Sequence, residues 1–116
     1  MMTTQIEVEA FLKKWKSACA NQLSIVPRDK NRDSLACLGW TFTTAKEKLK
    51  KLTVQNYIKG PEPDRDKPGD FWFFGISSTR GDVYIKVKIF ECAGKHFAKC
   101  VSFHLAEYEM KYPYKK

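Results

Sequence analysis

The sequence lacks any long hydrophobic run. Its first twenty residues, MMTTQIEVEAFLKKWKSACA, are interrupted by charged side chains. They therefore have neither the apolar region of a signal peptide nor the length of apolar chain that spans a membrane. We expect a cytoplasmic protein with no membrane partner.

Paired cysteines are also missing. The four cysteines, Cys19, Cys37, Cys92 and Cys100, are scattered and form no CxxC motif. In a reducing compartment this pattern predicts free thiols in or near the core. His96 lies four residues before Cys100, but a metal site needs a second such pair, and none follows in the sequence. We expect no metal site and no cofactor.

Acidic residues are scarce relative to basic ones. Lys and Arg number 21 and Asp and Glu 13, so the formal net charge is +8. A small basic chain suggests a polyanionic partner such as nucleic acid, an acidic protein or a lipid surface. Simple solubility is the alternative reading. With 116 residues, 43% of them hydrophobic, the chain suits one domain spanning residues 1–116.

The first half of the chain has helical patterns. Thr4 and Glu7 form a capping-box pattern before an apolar stripe, which predicts a helix over residues 4–20. The charged stretch SIVPRDKNRD reads as a break. The stretch SLACLG reads as a short helix ended by Gly39, and TTAKEKLKKL as a third helix with a capping box at Thr44 and Glu47. The stripe consists of Val8, Phe11, Leu12, Trp15 and Cys19.

The second half alternates with a period of two. The stretch KGPEPDRDKPGD, residues 59–70, reads as a loop that divides the chain. After it, DFWFFGISS, DVYIKVKIF and HFAKCVSFH predict three strands joined by short turns, hence antiparallel neighbours. The predicted fold class is α+β, with a helical half at about residues 4–60 packed on one face of a small antiparallel sheet at about residues 70–107.

Strand parity divides the predicted sheet into two faces. The face toward the helices takes Val83, Ile85, Val87, Val101 and Phe103. The opposite face takes Tyr84, Lys86, Lys88, Ser102 and His104. This assignment assumes that no bulge interrupts the strands.

The polar face is better suited to phosphodiester cleavage than to reactions that require a pair of carboxylates. Cleavage of RNA without a metal requires a base for the 2′-OH, cations for the crowded phosphorane and an acid for the leaving 5′-oxygen. The imidazole of His104 titrates near neutrality and suits either proton role. Tyr84 can donate a hydrogen bond or stack on a base. Each residue also has an ordinary interpretation: His104 as a surface residue, Tyr84 as packing, and Lys86 and Lys88 as solvating charges.

Several stretches resemble one family. LGWTFTTAKEKLKKLTVQNYIKG, FWFFG, GDVYIKVKIF and KCVSFHLAE resemble the MqsR-type toxins of bacterial toxin–antitoxin pairs, which belong with the RelE and YoeB ribonucleases. The resemblance runs from about Arg32 to about Glu107. It implies a RelE-like fold, a metal-independent mRNA endonuclease and neutralisation by a cognate antitoxin protein.

The resemblance also implies site residues. A lysine of the family's site corresponds to Lys59, and a tyrosine in its central strand corresponds to Tyr84. A lysine two residues after that tyrosine corresponds to Lys86. His104 occupies a position at which the best-known member has lysine. Phe73 stands where that member has glutamine beside the strand tryptophan.

The sequence therefore predicts a toxin that cleaves mRNA, free or on the ribosome, by 2′-OH attack. The predicted catalytic residues are His104, Tyr84, Lys59 and Lys86, and the predicted RNA-binding residues are Lys88, Trp72 and Arg80. Trp72 also reads as a core residue, like Trp15 and Trp40. Two other functions stay open: a basic domain that binds nucleic acid without cleaving it, and a protein-interaction module that meets an acidic partner.

Overall fold

Helix α1 (Gln5–Asn21) forms as its pattern predicts. The computed structural model describes residues 3–116. Thr4 is the N-cap: its Oγ1 accepts a hydrogen bond from Glu7 N at 3.2 Å, and its own N–H donates to Glu7 Oε1 at 3.0 Å. The whole apolar stripe is buried. Trp15 Nε1 donates to the carbonyl of Leu49 at 2.9 Å, which ties α1 to the third helix.

The first helix ends before the charged stretch, as predicted, but the stretch itself is structured. Strand β1 (Leu23–Ile25) comes first, and helix α2 (Asp29–Leu38) begins within the charged residues. Gly39 ends α2 in the left-handed conformation, with φ of 72°, as expected of a glycine that follows a helix. Helix α3 (Phe42–Lys50) begins earlier than predicted, because Thr41 caps it by accepting a hydrogen bond from Thr44 N.

The α+β prediction is confirmed, and the described residues form one five-stranded sheet in the order β1-β5-β4-β3-β2. After a 3-10 turn at Val54–Asn56 come the strands β2 (Tyr57–Pro63), β3 (Asp70–Ile76), β4 (Val83–Cys92) and β5 (Lys95–Leu105). Strand β1 runs parallel to β5, and the other neighbours are antiparallel. The sheet is therefore mixed rather than purely antiparallel.

Strand β2 occupies part of the stretch that was predicted to be a loop. Its pairing with β3 is irregular, with register shifts on both sides of Lys59. Pro61 and Pro63 cannot donate backbone hydrogen bonds, but β2 lies at the edge of the sheet, where prolines are tolerated. The loop proper is the shorter segment 64–69.

A bulge interrupts strand β5. Lys86 pairs with Ser102, but the next residue, Val87, pairs with Cys100, so Val101 is left over. Cys100 is fully buried, whereas Val101 is half-buried and lines a groove on the opposite side. The prediction that Val101 faces the helices is therefore wrong, because it assumed an unbroken strand.

The buried side chain of Asn31 holds this bulge. Its Nδ2 donates to the carbonyls of Val26 (2.8 Å) and Val101 (3.0 Å), and its Oδ1 accepts from Phe103 N at 3.0 Å. Both N–H groups of the side-chain amide donate and its oxygen accepts, so Asn31 can be completely buried.

The sheet has one face covered by helices and one that is largely uncovered. The helical face holds the apolar core, to which Val83, Ile85, Val87 and Phe103 contribute as predicted. We call the other side the outer face. Cys19 and Cys100 are buried, while Cys37 and Cys92 are exposed, and all four are free thiols. Across residues 3–116, no helix is long and apolar enough to cross a membrane.

The C-terminal segment, residues 106–116, packs over one end of the outer face. Met110 is buried, and Tyr112 Oη donates to Asp82 Oδ2 at 2.8 Å. A side chain at Gly75 would meet both: an ideal Cβ there would lie 2.8 Å from Met110 Cε and 2.9 Å from Tyr112 Cε1. Glycine at this strand position is what allows the segment to lie flat on the sheet.

Candidate active site

The outer face contains a cleft of about 300 Å³ between the N-terminal end of β4 and the C-terminal end of β5. Tyr84 pairs with His104 and Lys86 pairs with Ser102, so these four side chains lie side by side on the outer face. The rings of Tyr84 and His104 have centroids 5.1 Å apart. The cleft is lined by Arg28, Lys30, Tyr84, Lys86, Ser102, His104, Ala106, Glu107, Tyr108 and Met110.

His104 has a defined orientation. The residue is only 6% exposed, and its Nδ1 lies 3.0 Å from its neighbour's carbonyl oxygen, Leu105 O. A carbonyl only accepts, so Nδ1 carries the proton and Nε2 carries the lone pair of the neutral ring. Within residues 3–116 no buried side-chain nitrogen or oxygen lacks a partner, and Nε2 has no hydrogen bond, so Nε2 is accessible from the cleft.

The surroundings of His104 favour the neutral ring. Burial is the largest cause that lowers its pKa from the ordinary 6.5, and the charges of Lys30 and Arg28 add to it. The hydrogen bond to Leu105 O and the charge of Glu107 act in the opposite direction. At neutral pH the ring is therefore unprotonated at Nε2 and can accept a proton.

Tyr84 presents a protonated phenol. Burial raises its pKa above the ordinary 10, so the hydroxyl remains a hydrogen-bond donor at neutral pH. Its ring lies between those of Phe73 and His104, with the Phe73 centroid 6.1 Å away. Phe73 is only 3% exposed, so a buried aromatic side chain packs against Tyr84.

Two lysines lie around the same phenylalanine. Lys86 Nζ is 5.7 Å from the Phe73 ring centroid and 4.2 Å from that of Phe71, and Lys59 Nζ is 4.5 Å from that of Phe73. Lys86 lines the cleft directly. Lys59 lies on the far side of Phe73 and forms an exposed ion pair with Glu62 at 3.1 Å. The structure thus brings His104, Tyr84 and Lys86 together and places Lys59 nearby.

The three residues predicted to bind RNA do not line the cleft. Lys88 is 4% exposed, and its Nζ donates to Asp64 Oδ2 at 2.7 Å and to Pro68 O at 3.0 Å, so its charge is already paired. Trp72 lies on the helical face, where it stacks on Phe11 with ring centroids 4.3 Å apart. This position agrees with the alternative interpretation of Trp72 as a core residue. Arg80 is exposed in the turn between β3 and β4 and does not line the cleft.

Two cations of the cleft were not predicted. Arg28 and Lys30 lie at the N-terminus of α2, which the parallel pairing of β1 with β5 brings beside the end of β5. Lys30 forms an ion pair with Glu107, and both are roughly half exposed. The charged stretch SIVPRDKNRD was the sequence signal that could have indicated these two cations. Its position next to His104 depends on β1, which is too short to be predicted from alternation.

A second, larger groove of about 980 Å³ adjoins the cleft along the outer face. Its floor includes Phe71, Phe90 and Val101, and its wall is the loop 64–69. Lys86 lines both the groove and the cleft, so the two adjoin at this residue.

The described part of the chain contains no group of three or more His, Cys, Asp or Glu side chains arranged to hold a metal ion. Comparisons of the chain with protein families, with curated proteins and with solved structures found no match. The resemblance to MqsR-type toxins stays a prediction.

Proposed function

We propose that this protein is a metal-independent endoribonuclease whose active site is the cleft around His104. One observation carries the proposal: a neutral imidazole with an accessible Nε2 adjoins a protonated phenol and a lysine on one face of the sheet. These groups supply the base, the hydrogen-bond donor and the cation that cleavage of RNA through its 2′-OH requires.

In the proposed reaction, His104 Nε2 accepts the proton of the 2′-OH. The 2′-oxygen then bonds to phosphorus, the bond from phosphorus to the 5′-oxygen breaks, and a 2′,3′-cyclic phosphate forms. Tyr84 donates a proton to the leaving 5′-oxygen, and solvent returns the proton from His104 to Tyr84. Lys86 and Arg28 stabilise the extra negative charge of the phosphorane, and Lys59 binds a neighbouring phosphate.

We further propose that the enzyme is the cytoplasmic toxin of a toxin–antitoxin pair that cleaves mRNA. The resemblance of the stretches from LGWTFTTAKEKLKKL to KCVSFHLAE to MqsR-type toxins supports this part of the proposal. A cognate antitoxin protein would then neutralise the enzyme by covering the basic cleft.

The test compares His104→Gln with His96→Gln, since His96 is exposed at the far end of β5. Purified proteins are incubated with single-stranded RNA in EDTA. Because general acid–base catalysis contributes roughly 10²–10⁴-fold, we expect His104→Gln to slow cleavage by about that factor and His96→Gln to leave it unchanged.

Binding without cleavage by the wild type would instead establish the alternative, a basic domain that only binds nucleic acid. Equal cleavage by His104→Gln and the wild type would overturn the role of His104. Product analysis by end-group labelling checks for the 2′,3′-cyclic phosphate.

A further inference from the structure

The groove beside the cleft has the chemistry of a nucleobase site. Phe71 lies in its floor, with Lys86 Nζ at 4.2 Å and Lys88 Nζ at 5.2 Å from the ring centroid. Phe71 is half-buried, so part of its ring is accessible. Both ammonium groups lie over the ring, and an aromatic ring in a positively charged groove is the arrangement on which single-stranded nucleic acids stack their bases.

The charges of the groove do not favour a phosphate. Its lining includes five cations and four carboxylates, so the two signs nearly balance. Two of the carboxylates, Glu62 and Asp64, are paired with Lys59 and Lys88. A mixture of donors and acceptors over an apolar floor matches the edges of a base, which present both, better than a phosphate, which only accepts.

The wall of the groove is held in place before any ligand arrives. Asp64 Oδ1 accepts hydrogen bonds from the backbone N–H of Asp66 at 2.9 Å and of Lys67 at 3.3 Å. Asp64 Oδ2 bonds to Lys88 Nζ, and Asp64 N donates to Gly69 O at 3.0 Å. This network closes the loop 64–69 over the sheet, so binding does not have to order it.

We infer that this groove binds an unpaired base adjacent to the cleaved phosphodiester, with Phe71 as its stacking surface. This inference rests on the proposed function, which places the cleaved phosphate in the cleft. Because Lys86 lines both spaces, the base next to that phosphate would lie in the groove. The volume of about 980 Å³ lies within the range of pockets that bind small molecules, which is enough for a base and its sugar.

The experiment measures binding separately from cleavage. The probe is a fluorescent single-stranded oligoribonucleotide with 2′-O-methyl groups throughout, which cannot undergo 2′-OH attack. A second probe has the same backbone without bases. Affinities of the wild type and of Phe71→Ala are measured by fluorescence anisotropy, with Phe42→Ala as the control, since Phe42 is a partly exposed aromatic on α3, outside both clefts.

Because stacking on one aromatic is worth roughly 1–3 kcal/mol per base, we expect Phe71→Ala to weaken binding of the intact probe about 10-fold. Binding of the abasic probe should be the same for both proteins, and Phe42→Ala should match the wild type with both probes. Phe71→Leu, which keeps an apolar side chain in the floor, serves if Phe71→Ala does not fold, and it should show the same selective loss.

Equal weakening of both probes by the Phe71 variants, or no weakening of either, overturns the inference. The inference is also overturned if the wild type binds the intact and abasic probes with equal affinity. The proposed function has a different criterion, cleavage of unmodified RNA that depends on His104. Selective base binding without cleavage would therefore overturn the proposed function alone. Cleavage without selective base binding would overturn this inference alone.

Discussion

At the scale of single residues, the proposed reaction makes His104 the group whose ionisation sets the pH range in which the cleft can act. Its pKa lies below 6.5, chiefly because burial disfavours the charged ring. The proposed base is the neutral form of the ring, so the proposal predicts full activity above pH 6.5 and a decrease as the pH drops through that lower pKa.

The pH dependence of kcat/KM checks this first prediction. We expect the acidic limb to have its midpoint below 6.5 in the wild type. In Glu107→Gln the midpoint should move lower still, because the charge of Glu107 raises the pKa of His104. A midpoint at or above 6.5 would contradict a neutral, buried base. The unfolded chain takes up this proton first, so stability should also decrease as the pH falls below 6.5.

Lys88 and Asp64 form a second residue-scale unit, and its role is structural. The hydrogen bond from the Lys88 ammonium is the main cause that lowers the Asp64 pKa to about 2, with the backbone N–H of Asp66 next. An acid whose pKa is lower in the folded state stabilises the fold above its unfolded pKa, and this stabilisation disappears as the pH falls toward the folded pKa.

We therefore expect Asp64→Asn to be less stable than the wild type at pH 7, with the difference shrinking between pH 4 and pH 2. Urea unfolding at pH 7, 4 and 2 measures this. Asp66→Asn is the matched control, because Asp66 is exposed and takes part in the loop through its backbone N–H. A constant difference across the three pH values would rule out the ion pair as its cause.

At the scale of elements, the C-terminal segment forms one wall of the cleft through Tyr108 and Met110. Its position depends on Gly75, where a methyl group would collide with Met110 and Tyr112. Gly75→Ala should destabilise the protein by about 1–3 kcal/mol through overpacking and should detach the segment.

Limited trypsin digestion measures the detachment, as faster cleavage after Lys111. Gly39→Ala is the control: it is strained by its positive φ, at about 1 kcal/mol, but a side chain there has open space around it. Gly39→Ala should therefore lose stability without faster cleavage at Lys111. Similar digestion of the two variants would show that the segment does not depend on Gly75.

The elements with regular periodicity could be predicted from the sequence, whereas β1, β2 and the first turns of α2 could not. Helix α1 and strands β3 to β5 bury one complete face, so their apolar spacing is evident. Strand β1 has three residues, too few to show alternation, and β2 contains two prolines that favour a loop. Only Asn31, Ser34 and Leu35 of α2 are buried, so its charged sequence hides a helix.

The site followed the same division. Tyr84, Lys86, Ser102 and His104 share a face as parity predicts, because they lie on one side of the bulge. Lys88 also lies on the outer face, as parity predicts, but it meets Asp64 from a loop 24 residues away, a contact that no local pattern encodes. Arg28 and Lys30 reach the cleft through a parallel strand pairing, which is equally non-local.

At the scale of the whole molecule, the net charge of +8 should make RNA binding depend on salt. If about three phosphates are neutralised, by Arg28, Lys59 and Lys86, the slope of log K against log[salt] is roughly −2 for a single strand. Affinity should then fall roughly 20-fold between 50 and 200 mM salt.

Anisotropy titrations of Lys86→Ala and Lys13→Ala test where this charge acts. Lys86→Ala should reduce the slope by about 0.7, the value for one phosphate contact on a single strand. Lys13 is exposed on α1, on the helical side of the sheet, and its removal should leave the slope unchanged. Equal slopes for the wild type and Lys86→Ala would place the RNA elsewhere on the surface.

The bulge at Val101, held by Asn31, has a consequence for how this chain can vary. One extra residue in β5 lets Cys100 and Phe103, three positions apart, both point into the core. Deletion of Val101 alone would leave Cys100 next to Ser102 and restore regular alternation with every pair to β4 unchanged, whereas deletion of a paired residue would exchange inside and outside along one part of the strand. Loss of Val101 is therefore the change of length that β5 should tolerate best, and Asn31, which bonds to the extra residue, should vary together with it.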